Sequence, residues 1–195
     1  MQIIVLEGVD DSGKTEVIKS CYTCAKELGF EVTLLKDPGT TEEGLLVREI
    51  LLNQSATLSQ KEILDLFIRS RKALEPLFAE HKDNPNHIFI MDRYFQSTQV
   101  YQGILGGLHK EVLDHVNNDI KPFMLPTLTF FLEGIPNSLK TDDIENRYDR
   151  NKAADAYRTL WLRSTNSYYI TYRPSLALKV DSVVDILRTH LVKLL

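Results

Sequence analysis

The sequence predicts an α/β fold, in which five parallel β-strands form one sheet that helices cover on both faces. The first observation is that short β-branched or aromatic segments alternate along the chain with longer segments of helical periodicity. Such alternation favours a parallel sheet, because parallel strands need a crossover between them. The second is that Ile3–Leu6 is apolar without interruption, as in a strand buried on both faces. With 195 residues and no linker or repeat, residues 1–195 are expected to form a single domain.

The predicted strands are short apolar segments bounded by Gly, Pro or charged residues. A parallel sheet places the carboxyl ends of all its strands at one edge, where ligands bind. The five segments are Ile3–Leu6, Glu31–Leu35, Ile88–Met91, Thr127–Leu132 and Leu176–Val180.

The predicted helices have apolar residues at helical spacing and recognisable ends. Gly29 is a typical residue after a helix end. Ser59 and Glu62 form a capping-box pattern at a helix start, and Pro76 is expected to kink the last turn of that helix. Ser182 is expected to cap the final helix. The segments are 13–28, 42–53, 59–79, 110–119, 153–169 and 182–195.

Composition and charge exclude several classes of function. The net charge is −4, so no overall basic field attracts nucleic acid or an anionic membrane. No apolar run approaches the roughly 18 residues that a membrane span requires. The chain enters its first strand without a basic region or cleavage site, so we expect no signal peptide and a cytoplasmic, intracellular location. Cys21 and Cys24 are the only cysteines and are expected to be buried free thiols.

The stretch Gly8–Thr15 follows the first strand and matches Gly-x-x-x-x-Gly-Lys-Thr. This motif binds nucleoside triphosphates, because its glycines let backbone N–H groups surround a phosphate and the next helix directs its positive end at the same anion. Lys14 is expected to reach the β and γ oxygens, and the Thr15 hydroxyl to bind Mg²⁺.

Three further groups are expected at the ligand edge. Asp92 and Arg93 follow a buried strand, where an acidic residue can hold Mg²⁺ or its water and an arginine can meet a second phosphate. Phe67 and Arg71 share a helix face and suit stacking on a base and binding its polar edge. The polar segment 137–152 is poor core material and suits a mobile lid.

Together these motifs resemble the thymidylate kinases, members of the nucleoside monophosphate kinase group of P-loop proteins. The resemblance covers most of the chain, and order and spacing agree. Its most specific part is D-R-Y-x-x-S-T-Q-x-Y-Q-G from Asp92 to Gly103. It also includes L-E-G-V-D-x-x-G-K-T, D-P-G-T, R-E-I-L-L at Arg48–Leu52, F-x-x-x-R at Phe67–Arg71, R-Y-D at Arg147–Asp149 and V-D-S at Val180–Ser182.

The resemblance implies transfer of the γ-phosphoryl of ATP to dTMP, with Mg²⁺ as cofactor and a homodimer by family analogy. It implies catalytic roles for Lys14, Asp10, Arg93, Arg147 and Arg150, and Mg²⁺ ligation by Thr15, Asp10 and Asp92. The implied ATP-binding residues are Gly8, Asp11, Ser12, Gly13, Lys14, Thr15, Val180 and Asp181, the last two in a turn beside the adenine. The implied dTMP-binding residues are Asp10, Asp37, Gly39, Arg48, Phe67, Arg71, Arg93, Thr98, Tyr101 and Gln102.

Departures from the family pattern leave alternatives open. Asp11 stands where one branch of the family has a basic residue, so the missing charge is expected from Arg147 and Arg150 in the lid. A broader deoxynucleoside monophosphate kinase that also accepts dUMP is the nearest alternative. A deoxynucleoside kinase is disfavoured, because Glu7 faces the wrong side of the turn to act as its carboxylate base if the family analogy holds. A nucleotide-binding switch would not need the groups at Phe67 and Asp92.

Overall fold

The computed structural model of the protein describes residues 1–134 and 147–195 and contains a five-stranded parallel sheet, which confirms the predicted fold class. The strand order is β2-β3-β1-β4-β5. The first strand therefore lies in the centre, paired with β3 on one side and β4 on the other. The strands are β1 (Gln2–Glu7), β2 (Glu31–Lys36), β3 (His87–Asp92), β4 (Leu128–Leu132) and β5 (Ser167–Ile170).

Helices cover both faces of the sheet because β1 alternates its apolar side chains between them. Ile4 and Leu6 face a core formed with α1 (Lys14–Glu27) and α8 (Leu176–Val192). Ile3 and Val5 face the opposite core. The remaining helices are α2 (Glu42–Gln54), α3 (Gln60–Lys72), α4 (Glu75–His81), α5 (Phe95–Thr98), a π-helix (Gln99–Leu105), α6 (His109–Asp119), a short 3-10 helix (Pro122–Met124) and α7 (Arg150–Trp161).

The predicted long helix from Ser59 to Ala79 is two helices. Its start is confirmed, since Ser59 and Glu62 form the reciprocal capping box at α3. The helix α3 ends at Lys72, however. Pro76 lies in the first turn of the next helix, α4, and therefore does not kink the last turn of a longer helix. This is the helical position that tolerates proline, because its missing N–H would have no partner there.

The last third of the chain corrects two predictions. The helix expected over 153–169 ends at Trp161, and the strand expected at Leu176–Val180 is instead the start of α8. The fifth strand is Ser167–Ile170, entered through Asn166 at φ 49°. Ser182 does not cap a helix, because its hydroxyl donates to Leu178 O inside α8 at 2.8 Å. Residues 167–170 form a strand because they pair with β4. Across this pairing Tyr168 stacks on Phe130, with ring centroids 5.9 Å apart.

Other predictions concern the middle of the chain. The end of the D-R-Y-x-x-S-T-Q-x-Y-Q-G motif, Gly103, lies within the π-helix. The predicted lid at 137–152 lies largely outside the described residues, which resume at Arg147. Both cysteines are buried free thiols as expected, and burial raises the pKa of Cys21 to about 12. Within the described ranges, none of the helices combines the length and apolar character that crossing a bilayer demands.

Candidate active site

The phosphate-binding loop joins β1 to α1 and depends on glycine at two points. Gly8 has φ 137°, and a Cβ there would lie 2.3 Å from Leu132 O, so no other residue fits against β4. Gly13 has φ 85° at the helix start, where a Cβ would lie 2.7 Å from a Leu176 methyl. The loop is therefore packed closely between β4 and α8, with its backbone held in a left-handed form that only glycine adopts without strain.

Lys14 folds its side chain over this loop. Its Nζ donates to Gly8 O and Val9 O, both at 2.9 Å, and lies 3.4 Å from Ser12 Oγ. The residue is 9% exposed, so the ammonium is positioned beside the cavity and largely shielded from bulk water. Carbonyl oxygens hold the cation in place at the point where the motif predicts phosphate.

A cavity of about 360 Å³ opens beside the loop, at the carboxyl edge of the sheet. Residues 10–16 form one wall, and the opposite wall comes from β2, α2, α3 and the segment after β3. Of the residues predicted for the site, the cavity brings together Asp10, Asp11, Ser12, Gly13, Lys14, Thr15, Asp37, Arg48, Phe67, Asp92, Arg93, Tyr101 and Gln102.

Arg93 lines this cavity and has a strained backbone conformation. Its φ is 66°, a left-handed value that is uncommon for a residue with a Cβ. One Nη donates to Asp10 Oδ1 at 2.9 Å, and its Cζ lies 5.9 Å from the centre of the Tyr101 ring. The guanidinium is thus held between the phosphate-binding loop and the predicted sugar-contacting tyrosine.

Arg71 and Thr98 lie behind the wall of the cavity and not on it. Arg71 is 1% exposed; its Nε donates to Asp37 Oδ2 at 2.6 Å, and its Nη2 donates to Thr98 Oγ1 and to Tyr94 O. Its Cζ lies 5.5 Å from the Phe67 ring centre. Arg71, predicted to bind the polar edge of the base, therefore supports Phe67 and Asp37 from behind, and Thr98 in turn contacts Arg71.

The two predicted lid arginines point in different directions. Arg150, the first residue of α7, donates from Nη2 to Asp10 O at 2.8 Å. Arg147 donates from Nη2 to Leu58 O at 2.9 Å, on the far side of the site between α2 and α3. Only Arg150 contacts the phosphate-binding loop in this arrangement.

Three further predicted residues lie away from the cavity wall. Val180 and Asp181 belong to α8 and border a groove beside α1, so the turn expected at 180–182 is wrong. The segment that follows β5 at the ligand edge is instead 171–175. Gly39, at φ 136°, packs against the Arg48 side chain.

The fold and the site agree with comparisons to known proteins. A family model described as thymidylate kinase matches residues 6–170. The chain belongs to the thymidylate kinase family. It is therefore an enzyme of the phosphotransferase class.

Individual thymidylate kinases show the same relationship. The protein of that name from Chlorobaculum tepidum is 32% identical over 135 residues, a match covering 69% of this chain and 63% of that protein. One from Caldanaerobacter subterraneus is 27% identical over 193 residues, covering 97% and 91% of the two chains. The crystal structure of thymidylate kinase from Ehrlichia chaffeensis aligns with a TM-score of 0.73 at 23% identity, covering 95% of this chain and 98% of that one, and so shares the fold.

Five residues of this family member belong to the site but have no role in the sequence-based prediction. Tyr148 lines the cavity and accepts from Gln102 Nε2 at 3.1 Å. Lys179 reaches from α8 to donate to Ser12 O and Glu133 O, both at 2.8 Å. Glu7, Ser97 and Tyr157 form a buried cluster behind Arg93. Tyr148, Ser97 and Glu7 had a local signal, since each stands in a quoted motif. Lys179 and Tyr157 had none and reach the site only through the fold.

Burial sets the ionisation of these groups. It raises the pKa of the Glu7 carboxyl, while the Arg93 guanidinium and the hydrogen bonds from Ser97 and Tyr94 act in the opposite direction. Burial likewise raises the pKa of the Tyr148 hydroxyl and lowers that of the Lys179 ammonium. The site thus contains a carboxylate and a cation in low-dielectric surroundings, where electrostatic interactions are strong.

The predicted Mg²⁺ ligands in this family member fit a cation that is bound mainly by phosphate. Asp92 Oδ1 is buried and receives no hydrogen bond from the described residues, while Oδ2 lies 3.3 Å from Lys36 Nζ. Thr15 and Asp10 line the same cavity. Among residues 1–134 and 147–195, no cluster of three His, Cys, Asp or Glu side chains forms a metal cage. Mg²⁺ needs no such cage, since it is held by one or two carboxylates together with substrate phosphates.

Proposed function

We propose that the protein transfers the γ-phosphoryl group of ATP to dTMP, giving dTDP and ADP in a Mg²⁺-dependent reaction. The observation that carries the proposal is the shared cavity: the triphosphate-binding loop and the Phe67, Arg93 and Tyr101 side chains line one space of about 360 Å³. Phosphoryl transfer requires donor and acceptor in line within a site that excludes water. Two substrates bound against the opposite walls would meet beside Arg93.

The donor side consists of the phosphate-binding loop. The backbone N–H groups of residues 8–15 would surround the β-phosphate, and Lys14 would exchange the carbonyls of Gly8 and Val9 for phosphate oxygens. Thr15, Asp10 and Asp92 would hold Mg²⁺ with the phosphates. When bound, Mg²⁺ would neutralise charge on the transferring group and align it.

The acceptor side would take the nucleotide through shape and charge. Phe67, 8% exposed, offers a ring for the base, and Tyr101 a surface beneath the sugar. Arg93 and Arg48 are the cations available to the acceptor phosphate. Because Arg93 also binds Asp10, it would bridge the acceptor phosphate and the transferred phosphoryl, where charge develops in the transition state.

Arg150 is the lid arginine that we assign to catalysis. Asp11 supplies no positive charge in the loop, whereas the Arg150 guanidinium already reaches Asp10 O at 2.8 Å. Its Nε is buried and without a partner among the described residues, so it has a donor to offer to an incoming phosphate. Arg147 would have to leave Leu58 O to contribute.

A broader acceptor range is the second candidate, because Arg71 and Thr98 lie behind the cavity wall. Base selection would then depend mainly on Phe67 and Gln102, and the Gln102 amide is already bound to Tyr148. Stacking on Phe67 is tolerant of the base, so dUMP and other deoxynucleotides would compete with dTMP.

The test is ADP production from ATP and Mg²⁺ with dTMP, dUMP, dCMP, dGMP, UMP or thymidine as acceptor. We expect strong turnover with dTMP, and at most dUMP beside it. Equal rates with all deoxynucleotides would establish the broader kinase. Absence of acceptor-dependent turnover would favour a nucleotide-binding switch and contradict the proposal.

Two features follow from the family analogy and belong to the proposal. We expect a homodimer, which light scattering coupled to size-exclusion chromatography would measure as twice the 22.4 kDa chain mass. We also expect the enzyme in the cytoplasm with its nucleotide substrates, and no nucleic-acid or membrane partner.

A further inference from the structure

A buried carboxylate lies directly behind the catalytic arginine. Glu7 is the last residue of the central strand β1, immediately before the phosphate-binding loop, and it is 0% exposed. A carboxylate is costly to bury unless hydrogen bonds satisfy both of its oxygens. Its contacts therefore indicate what it is placed to do.

Both Glu7 oxygens are fully engaged with the segment that follows Arg93. Oε1 accepts from the backbone N–H groups of Tyr94 at 2.8 Å and Ser97 at 3.2 Å. Oε2 lies 2.6 Å from Ser97 Oγ and 3.2 Å from the Tyr157 hydroxyl of α7. The carboxylate thus fixes the backbone on the carboxyl side of Arg93 and gathers two hydroxyl groups from different elements.

The same two hydroxyls contact Arg93 on their other side. Arg93 Nη1 donates to Tyr157 Oη at 2.9 Å and to Ser97 Oγ at 3.3 Å, while Nη2 donates to Asp10. A guanidinium only donates hydrogen bonds. Each hydroxyl therefore accepts from Arg93 and has its own proton left to donate. Ser97 Oγ donates to Glu7 Oε2 at 2.6 Å, and the Tyr157 hydroxyl has two acceptors within reach, Glu7 Oε2 at 3.2 Å and Ser97 Oγ at 2.8 Å. The network runs from the arginine through the two hydroxyls to the carboxylate.

This arrangement offsets the strain at Arg93. A non-glycine residue at φ 66° is strained and persists only where surrounding contacts determine its conformation. The Arg93 N–H donates to Leu6 O at 3.0 Å, and the next residue donates to Glu7. Both anchors come from the end of β1, so the strand that carries the phosphate-binding loop also sets the conformation of Arg93.

We propose that Glu7 is a positioning residue for phosphoryl transfer, acting through Ser97 and Tyr157 to hold the Arg93 guanidinium at the edge that faces the substrate phosphates. The inference rests on the proposed role of Arg93 in the kinase reaction. In this proposal, Tyr157 links Arg93 to α7. Because α7 begins with Arg150, the two arginines proposed to lie on opposite sides of the phosphates are then connected through one helix.

Three substitutions remove parts of the network. Tyr157→Phe and Ser97→Ala each delete one hydroxyl. Glu7→Gln keeps the size of the side chain but replaces one hydrogen-bond acceptor with a donor. With Oε1 accepting from the two backbone N–H groups, the new amide would donate to hydroxyls that must also accept from Arg93. We expect kcat to fall about tenfold in each, with KM for ATP changed less than about threefold.

Tyr94→Phe is the matched control. It also removes a hydroxyl from a 0% exposed tyrosine, next to Arg93, but the Tyr94 hydroxyl makes no hydrogen bond within the described residues and lies outside the cavity. We expect kcat within about twofold of the wild type. Thermal unfolding of every variant separates loss of folded protein from loss of rate.

A double-mutant cycle distinguishes positioning from general stabilisation. In an Arg93→Ala background, measured at high enzyme concentration, Tyr157→Phe should lower kcat less than about twofold, because the residue through which it acts is gone. An undiminished tenfold effect in that background, or an unchanged kcat in the wild-type background, would overturn the inference.

The activity of the wild type distinguishes failure of the kinase proposal from failure of the positioning role of Glu7. If the wild type phosphorylates dTMP and the cycle shows no coupling, the kinase assignment stands and the positioning role fails. If another deoxynucleotide is the preferred acceptor, the same double-mutant cycle is measured with that acceptor. The coupling between Tyr157→Phe and Arg93→Ala then decides whether the positioning role stands. A wild type that phosphorylates no acceptor overturns both proposals. A Glu7→Gln protein that does not fold leaves the decision to Tyr157→Phe and Ser97→Ala.

Discussion

At the scale of single residues, the site depends on a few cationic side chains that backbone oxygen atoms hold in position before any substrate binds. Lys14 is bound to two carbonyls of its own loop, and Arg150 to a third, at Asp10. Such preorganised donors lower a barrier because they need little rearrangement when charge develops. Each can be removed without disturbing a core.

Lys14→Ala should abolish turnover while the protein stays folded, with kcat reduced at least about 100-fold because the γ-phosphoryl charge loses its nearest cation. The coupled assay for ADP measures the rate, and circular dichroism the fold. Lys19→Ala is the control, since Lys19 on the same helix makes only an exposed pair with Glu16. A Lys14→Ala enzyme of near-wild-type rate would contradict the assignment of the phosphate-binding loop.

Arg150→Ala should lower kcat about tenfold or more and raise KM for dTMP much less, because the interaction is made mainly in the transition state. Arg147→Ala should have the smaller effect, since its guanidinium is bound to Leu58 O. Steady-state kinetics of both variants make the comparison. An unchanged kcat in both would show that neither arginine acts as a lid residue.

At the scale of elements, α3 carries Phe67 to the cavity wall and depends on its first turn. The Ser59 hydroxyl accepts from Glu62 N at 3.2 Å, and the Glu62 carboxylate accepts from Ser59 N at 2.8 Å. The backbone and side chain of Ser59 lower the pKa of the Glu62 carboxyl. The orphan N–H groups of the helix start are thereby satisfied.

Ser59→Ala should reduce the free energy of unfolding by about 1 kcal/mol, the usual cost of losing an N-cap. Urea denaturation measures it. The control is Ser20→Ala, because that exposed hydroxyl only donates to Glu16 O within its own helix, and a change below about 0.5 kcal/mol is expected. Equal losses in the two variants would mean that the capping box does not stabilise α3.

The elements also show how far the sequence could predict the structure. The β1–loop–α1 unit was predictable because its signals are local: an apolar strand, fixed glycines and a helix end at Gly29. The β5–α8 region was not, because Leu176–Val180 has the composition of a strand and the turn at Asn166 lacks glycine and proline. The side chains that meet behind Arg93, from Glu7 to Tyr157, are 150 residues apart in the chain, and no periodicity signals such a contact.

At the scale of the whole molecule, buried histidines couple folding to pH. Burial is the main cause that lowers the pKa values of His87, His115 and His190 below the ordinary range of a histidine. The unfolded chain therefore binds more protons than the folded protein as the pH falls below about 6.5. The stability that these groups contribute is present above that pH and is lost as the pH falls through the lowered pKa values.

We accordingly expect His115→Gln to weaken the pH dependence of folding. His115 lies between Asp119, at 2.9 Å, and the Arg71 guanidinium, at 3.5 Å, so a proton on it would face a cation. The measurement is the free energy of unfolding in urea at pH 7 and pH 5, for the wild type and the variant. A loss between the two pH values that is as large in the variant as in the wild type would contradict the assignment to His115.

The reach of Lys179 from the last helix has a consequence for the order in which the enzyme becomes functional. Its ammonium donates to Glu133 O and to Ser12 O, which is 167 positions away in the chain, while Leu176 packs against Gly13. A nascent chain still lacking α8 would have the complete nucleotide motif at its beginning, supported by β4 but not by Leu176 and Lys179. We therefore expect the proposed ATP binding to be among the last properties that the protein acquires as it is synthesised, although the residues of the motif emerge first.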